Sequence, residues 1–124
     1  MNVIRLEQHE YPARAQHDLR GRTVLDSSGR YLGVVANLYV DEGERQLRFV
    51  DVLTGGFLGL GRTHHLLPIE ALIPAEEATR LGLYGATQLQ VDREKVEGSP
   101  TFPNPLAGPD PDLQETIRQY YGYG

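Results

Sequence analysis

The clearest hydrophobic pattern in the chain runs over residues 32–40, where apolar and more polar positions alternate. Successive side chains of a strand point to opposite faces, so this pattern predicts a strand with one core face and one face towards water. The residues expected in the core are Leu32, Val34, Ala36, Leu38 and Val40. The residues expected to face water are Gly33, Val35, Asn37, Tyr39 and Asp41.

Turn-forming residues on both sides of this strand predict hairpins. Residues 26–30 combine short polar side chains with a glycine, and the β-branched and apolar run Thr23–Leu25 precedes them. Residues 41–45 predict the next turn and Leu47–Thr54 the next strand. Apolar residues occupy both parities of that strand, which is typical either of a bulge or of a strand covered on both faces.

Weaker strand signals follow, separated by glycine and proline. Residues 55–61 form a glycine-rich apex, and the short strand after it is expected to end at Leu67, before a proline. Residues 69–72 fit a single helical turn, and a last strand is predicted over residues 88–91, extending as far as Val96. Short strands at roughly ten-residue spacing predict a mainly β fold, a small antiparallel β-barrel.

The C-terminal part of the chain predicts a proline-rich connector and one α-helix. Asp110 followed by Pro111 is typical of a helix start, and Glu115 is spaced for a capping box with Asp112. Gly122 is expected to end the helix. One apolar stripe lies along it at helical spacing: Leu113, Ile117, Tyr120 and Tyr121.

This stripe has three interpretations that the sequence leaves open. It packs on its own barrel, it crosses to a second copy of the chain, or it docks into a groove of a different protein. A helix this short needs a surface to lie against, because isolated helices of this length are marginal in water.

A chain of 124 residues is expected to form one domain. We divide it into a lead-in of uncertain order at residues 1–18, a barrel domain at 19–102, and the connector with its helix at 103–124.

Composition and charge then narrow the function classes. The chain has no cysteine, only one lysine and a net charge of −5, so disulfides are excluded and direct binding of nucleic acid is not expected. No run approaches the roughly 20 apolar residues of a membrane span, so no membrane insertion is expected. The N-terminus lacks a basic region followed by an apolar run, which predicts a cytoplasmic location.

Glycine, acidic and apolar residues follow one another in a characteristic order over residues 19–102. The positions are Leu19, Gly21, Val24, Asp26, Gly29, Leu32, Gly33, Asp41, Phe49, Val50 and Val52, then residues 55–61, 65–72 and 96–102. This order resembles a stand-alone bacterial member of the PRC-barrel family, which is named after the cytoplasmic domain of the photosynthetic reaction centre H subunit. The resemblance implies a compact β-barrel that binds other macromolecules, and the family brings no catalytic residues to carry over.

Two apolar surfaces are the candidate partner-binding sites. The glycine-rich apex carries Phe57, Leu58 and Leu60, which form an apolar spot that a partner would cover. The second candidate is the helix stripe of Leu113, Ile117, Tyr120 and Tyr121.

Catalytic and metal chemistry find little support in the residues. His64 and His65 are adjacent on a strand, so they point to opposite faces and are poorly placed to chelate one ion. The chain lacks the Gly-x-Ser-x-Gly nucleophile elbow of serine hydrolases. We therefore expect no enzyme activity, no cofactor and no metal site.

The leading hypothesis is a non-enzymatic protein-binding or scaffolding module whose partner is another protein or a second copy of the chain, as a homodimer. One alternative is a small-ligand or metal-sensing barrel that uses His64 and His65. A second alternative is an adaptor in ribosome or RNA maturation, since one family member is a ribosome-maturation factor that docks on a ribosomal protein.

Overall fold

The computed structural model describes residues 2–55 and 61–124, and in this part of the chain six strands form one sheet. The strands are β1 Val3–Arg5, β2 Thr23–Leu25, β3 Tyr31–Asp41, β4 Leu47–Thr54, β5 Thr63–Pro68 and β6 Ala86–Gln88. The helices are α1 Ala75–Arg80, α2 Arg93–Glu97 and α3 Pro111–Tyr121, with 3-10 turns at Ala15–His17 and Ile69–Ala71.

The sheet has the strand order β5-β4-β3-β2-β6, and β1 pairs with β3. The long strand β3 pairs with β4 on one side and with β2 and then β1 on the other. These pairs are antiparallel, but β6 pairs with β2 in parallel. The prediction of a mainly β fold with a C-terminal helix is confirmed, and the prediction of a wholly antiparallel arrangement is wrong at β6.

The predicted barrel closure is also wrong, because β5 and β6 are the edges of the sheet within the described residues. A single bridge, Leu72 with Leu89, links the segment after β5 to the segment after β6. It is flanked by backbone hydrogen bonds from Ile73 to the Gln88 carbonyl (2.9 Å) and from Gln90 to the Ala71 carbonyl (2.7 Å). Connecting segments therefore tie the two ends of the sheet together without a continuous ladder.

Strand β3 is buried on both faces over its second half, which contradicts the simple alternation. Val35 and Tyr39 were expected to face water and are 2% and 0% exposed. The pairing with β4 shifts register between Val35 and Asn37, so that Ala36 is bulged. The connector before α3 covers the other face, and the Tyr39 hydroxyl donates to the Pro105 carbonyl at 2.6 Å.

The middle of the sheet follows the sequence closely. Strand β4 has the predicted bounds, and it is both irregular in register and largely buried. Strand β5 extends one residue beyond the predicted end, since Pro68 still pairs with Phe49 at the end of the ladder. The predicted single helical turn is confirmed as the 3-10 turn Ile69–Ala71.

The predicted last strand over residues 88–91 and on to Val96 is wrong in position and length. Strand β6 is already complete at Gln88, and Val96 lies buried in helix α2. Asp92 starts that helix, because its side chain accepts a hydrogen bond from the Lys95 amide at 2.9 Å.

Residues at the start of the chain belong to the same sheet. Strand β1 pairs with β3, and Val3 and Leu6 are buried in the common core. Residues 3–6 of the lead-in therefore belong to the same sheet and core as the rest of the domain.

The C-terminal helix begins and ends where the sequence predicts. The Asp110 carboxylate accepts a hydrogen bond from the Leu113 amide at 2.8 Å, and Gly122 ends the helix with a φ of 87°. The expected capping box of Asp112 with Glu115 is wrong, because the cap residue lies two positions earlier.

Candidate binding cavity

The apolar stripe of α3 lies in the protein's own core. Ile117 is 0% exposed and Tyr121 is buried, while Leu113 and Tyr120 pack against the same cluster. The Tyr120 hydroxyl donates to the Lys95 carbonyl at 2.6 Å. In the structure these four side chains pack against the chain's own core, as in the first interpretation of the stripe, and partner binding by the stripe stays a prediction.

The second predicted surface, Phe57, Leu58 and Leu60, lies outside the described residues. The structure therefore contributes nothing to that hypothesis.

The two neighbouring histidines have separate partners within the sheet. His64 Nδ1 lies 2.7 Å from Asp51 Oδ2, and His65 Nε2 lies 3.0 Å from Thr54 Oγ1. Burial lowers the pKa of His65, which favours the neutral ring at pH 7. Among residues 2–55 and 61–124, no three His, Cys, Asp or Glu side chains form a group that could hold a metal ion.

A largely apolar cavity of about 380 Å³ lies between the segment that follows β5, the start of α1, and residues 17–22. Its lining is largely aliphatic, and its polar side chains are those of His17, Arg22, Glu70, Thr87 and Gln90. The lining residues are His17, Leu19, Arg22, Ile69, Glu70, Leu72, Ile73, Pro74, Ala75, Ala78, Thr87 and Gln90. We refer to it as the α1 cavity.

Backbone geometry explains why this cavity stays open. Pro68 ends β5, and the chain makes a 3-10 turn and then a single bridge at Leu72 before Pro74 starts helix α1. The Gln90 side chain holds this turn by donating to the Glu70 and Leu72 carbonyls, both at 3.0 Å. Helix α1 has only six residues, and its one buried side chain is that of Ala78, so the helix stands over the gap without filling it.

The ionisable groups around the cavity are mostly neutralised. Glu70 Oε2 lies 2.6 Å from Arg118 on α3, and Glu70 Oε1 is shielded from solvent. Burial lowers the pKa of His17, and nearby Arg14 acts in the same direction, so the ring is neutral at pH 7. Arg22 forms no ion pair with a carboxylate in the described part of the chain.

Exposed apolar side chains occur in the turn that leaves α1. Leu81 is 58% exposed and Tyr84 is 83% exposed. Backbone hydrogen bonds from Leu81 to the Glu77 carbonyl and from Leu83 to the Ala78 carbonyl fix this turn against the helix. The helix that covers the cavity therefore leads directly into exposed apolar surface.

Sequence reasoning missed the α1 cavity. The signal available was a run of apolar residues, Ala71 to Ala75, that continues past the predicted helical turn without a strand or helix pattern. Whether such a run fills the core or lines a gap depends on the distance between β5 and β6, and that distance is a property of the assembled sheet.

The description of the family model that matches this chain is PRC-barrel domain, and the match covers residues 13–82. The chain therefore belongs to the PRC-barrel domain family, as its resemblance to that family indicated. The matched range contains most of the cavity lining, from His17 to Ala78, but not Thr87 and Gln90.

No curated protein matches the chain. None of the helices that the structure describes is long and apolar enough to cross a bilayer.

Proposed function

We propose that this PRC-barrel domain is a non-enzymatic protein-binding module that accepts an apolar side chain of a partner protein in the α1 cavity. The observation that carries the proposal is an aliphatic cavity of about 380 Å³ that the protein's own side chains leave open. Cavities of this size, largely apolar with a few polar groups, are the usual form of binding sites in proteins.

The energetic argument rests on the aliphatic lining. Burying one leucine-sized side chain contributes about 1.5–3 kcal/mol, which is the range of a residue that dominates a protein interface. Leu72 and Ala78 of the cavity lining are already buried against the rest of the domain. A partner side chain would therefore gain contacts at little cost in ordering this domain.

The proposal is for binding rather than turnover because the polar lining is poorly suited to catalysis. The carboxylate of Glu70 is held by Arg118 on one oxygen and shielded on the other. The described lining has no serine or cysteine nucleophile, and the hydroxyl of Thr87 belongs to a buried residue of β6.

A protein partner is favoured by the surface around the cavity. Tyr84 and Leu81 are exposed apolar side chains in the turn that follows α1, and aromatic residues are enriched in protein interfaces. A macromolecule covers both the cavity and this turn, whereas a small ligand would cover the cavity alone.

The test fills the cavity without removing any existing contact. Ala78→Leu places a larger side chain into the cavity, and we expect it to abolish partner capture in an affinity pull-down from native cell lysate. Thr79→Leu is the matched control, because it adds a leucine side chain at the next, exposed position of the same helix. Tyr84→Ser is expected to weaken capture while leaving the melting temperature unchanged.

The informative result is a protein recovered with the wild type and with Thr79→Leu but lost with Ala78→Leu at equal stability. If the wild type, Thr79→Leu and Ala78→Leu all recover the protein equally, the cavity is not part of the binding site. Recovery only of further copies of this chain would replace the proposal with self-association, and loss after RNase treatment would redirect it to ribosome or RNA maturation.

A further inference from the structure

The α1 cavity is lined by one arginine, Arg22, that forms no ion pair in the described part of the chain, although Asp18 attracts it at longer range and Glu76 of α1 acts on the neighbouring His17. Three ionisable side chains line it: His17, Arg22 and Glu70. The balance among them, and with the groups that face them, determines what kind of ligand the cavity prefers.

The negative charge of Glu70 is balanced by Arg118 of α3. One carboxylate oxygen lies 2.6 Å from Arg118, and the other is buried and has no hydrogen-bond partner in the structure. Burial raises the pKa of Glu70, but the Arg118 hydrogen bond, a backbone hydrogen bond and the charges of Arg118 and Arg48 together hold it below its ordinary value, so Glu70 and Arg118 form an ionised pair at pH 7.

The carboxylate that interacts electrostatically with Arg22 is that of Asp18, and it is paired with Arg20. Both of its oxygens accept hydrogen bonds from the guanidinium of Arg20, at 2.8 and 3.0 Å. Arg20 makes the largest contribution to lowering the pKa of Asp18, and Arg22 contributes only a weaker, longer-range attraction. A bidentate pair of this kind leaves Asp18 with little capacity for a second arginine.

Arg22 itself is held by its backbone. Its amide donates to the Leu19 carbonyl at 3.1 Å, and its carbonyl accepts from the Val35 amide at 3.0 Å. The Cα position is therefore fixed at the start of β2, beside Leu19 of the cavity lining. His17 does not add a second charge, because its ring is neutral at pH 7.

We infer that the partner segment entering the α1 cavity carries a carboxylate next to its apolar side chain, and that Arg22 pairs with this carboxylate. The inference rests on the proposed function, because it specifies the chemistry of the same site. The occupant is thus an acidic-apolar peptide segment, with the apolar side chain among Leu72, Ile73 and Ala78 and the acid at the Arg22 end.

The net charge of −5 does not oppose this pairing at close range. Exposed charges further apart than about 8 Å are largely screened at physiological ionic strength. A guanidinium binds a carboxylate through two parallel hydrogen bonds, which adds orientation to the attraction.

The test uses three tetrapeptides: acetyl-glycyl-leucyl-aspartyl-glycine amide, its asparaginyl counterpart, and the counterpart with alanyl in place of leucyl. Binding is followed by amide chemical shifts of Leu72, Ala78 and Thr87 in the full-length protein. We expect the aspartyl peptide to bind about threefold to fivefold more tightly than the asparaginyl peptide, the upper range for an exposed ion pair. The alanyl peptide should bind more weakly than both.

Variants at Arg22 test whether its charge causes the preference for the aspartyl peptide. Arg22→Gln should reduce the aspartyl-to-asparaginyl preference to about one, and Arg22→Lys should keep part of it because the charge remains without the bidentate geometry. Arg80→Gln is the control, since Arg80 is an exposed arginine of α1 outside the cavity lining. Circular-dichroism melts establish that all variants are folded.

The outcomes separate the two claims. If both leucyl peptides bind equally and Arg22→Gln changes nothing, the carboxylate inference is wrong and the apolar cavity stands. If no peptide shifts the cavity amides at millimolar concentration, or if Ala78→Leu leaves binding intact, both the inference and the proposed function are overturned.

Discussion

The face of helix α3 and the α1 cavity are both apolar, yet one is sealed and the other is open. On α3, Ile117 and Tyr121 lie in the core, and the Tyr120 hydroxyl is satisfied by a backbone carbonyl. Beside α1, aliphatic side chains such as Ile73 and Ala78 line a gap of about 380 Å³. The two regions are joined by the ion pair of Glu70 with Arg118.

The difference lies in helix length and in the size of the side chains. Helix α3 runs over Pro111–Tyr121, begins with an aspartate cap, and presents large side chains on one face. Helix α1 spans only Ala75–Arg80, has no side-chain cap, and buries a single alanine. A long capped helix with bulky residues completes the core, whereas a short helix with small residues covers space without filling it. Apolar surface that a domain leaves unfilled is the surface available to a partner.

The largest expected effect on stability comes from a substitution in the buried face of helix α3. Ile117→Ala should lower the free energy of unfolding by about 2–5 kcal/mol, because it deletes a fully buried side chain and leaves a cavity. Urea unfolding followed by circular dichroism measures this change. Thr116→Ala, at the exposed neighbouring position, should stay within about 0.5 kcal/mol. Equal effects of both substitutions would mean that α3 is not packed on the sheet.

An intermediate effect distinguishes packed space from open space. Ala71→Leu should cost about 1–3 kcal/mol, because Ala71 is fully buried and lies outside the cavity lining, so added methylenes meet packed neighbours. Ala78→Leu makes the same change at the cavity and should cost less than about 1 kcal/mol. The comparison fails if Ala78→Leu is as destabilising as Ala71→Leu, since the cavity would then have no room for a side chain.

The smallest expected effect is on the pH dependence of stability, to which His17 at the cavity and His65 in strand β5 should contribute differently. Burial lowers the pKa of both His17 and His65 below the ordinary value of 6.5. The unfolded state therefore binds more protons, and stability is lost as the pH falls from 7 through 6.5 towards the lower folded-state pKa values. His65→Gln should flatten unfolding curves measured from pH 7 to 5 more than His17→Gln does, because His65 is buried and His17 is only half-buried. The reverse order would place the more strongly desolvated histidine at the cavity.

Local chemistry made several elements predictable. The turn before β3 follows from Asp26, whose carboxylate accepts from the Ser28 and Arg30 amides at 2.9 and 3.0 Å. Strand β4 and the ends of α3 were likewise set by residues a few positions apart. Such interactions need no distant part of the chain, so the sequence displays them directly.

Errors arose where distant segments decide the outcome. Tyr39 has the parity of a water-facing residue, but the connector at Pro105 covers it. Residues 88–91 have strand character, but β2 offers a parallel partner only to Ala86–Gln88. The α3 stripe has an apolar composition that leaves its neighbour open, and its packing against the core depends on segments far away in the chain.

The sequence by itself determined the family, the order of the β-rich elements and the position of the C-terminal helix, because these depend on spacing, turn residues and caps. The tertiary structure decided that the sheet stays open between β5 and β6, that α3 seals one side, and that Arg22 faces an apolar cavity without an ion-pair partner in the described chain. These features depend on how far apart the ends of the sheet lie and on which side chains reach across, and neither quantity is encoded in any local stretch of residues.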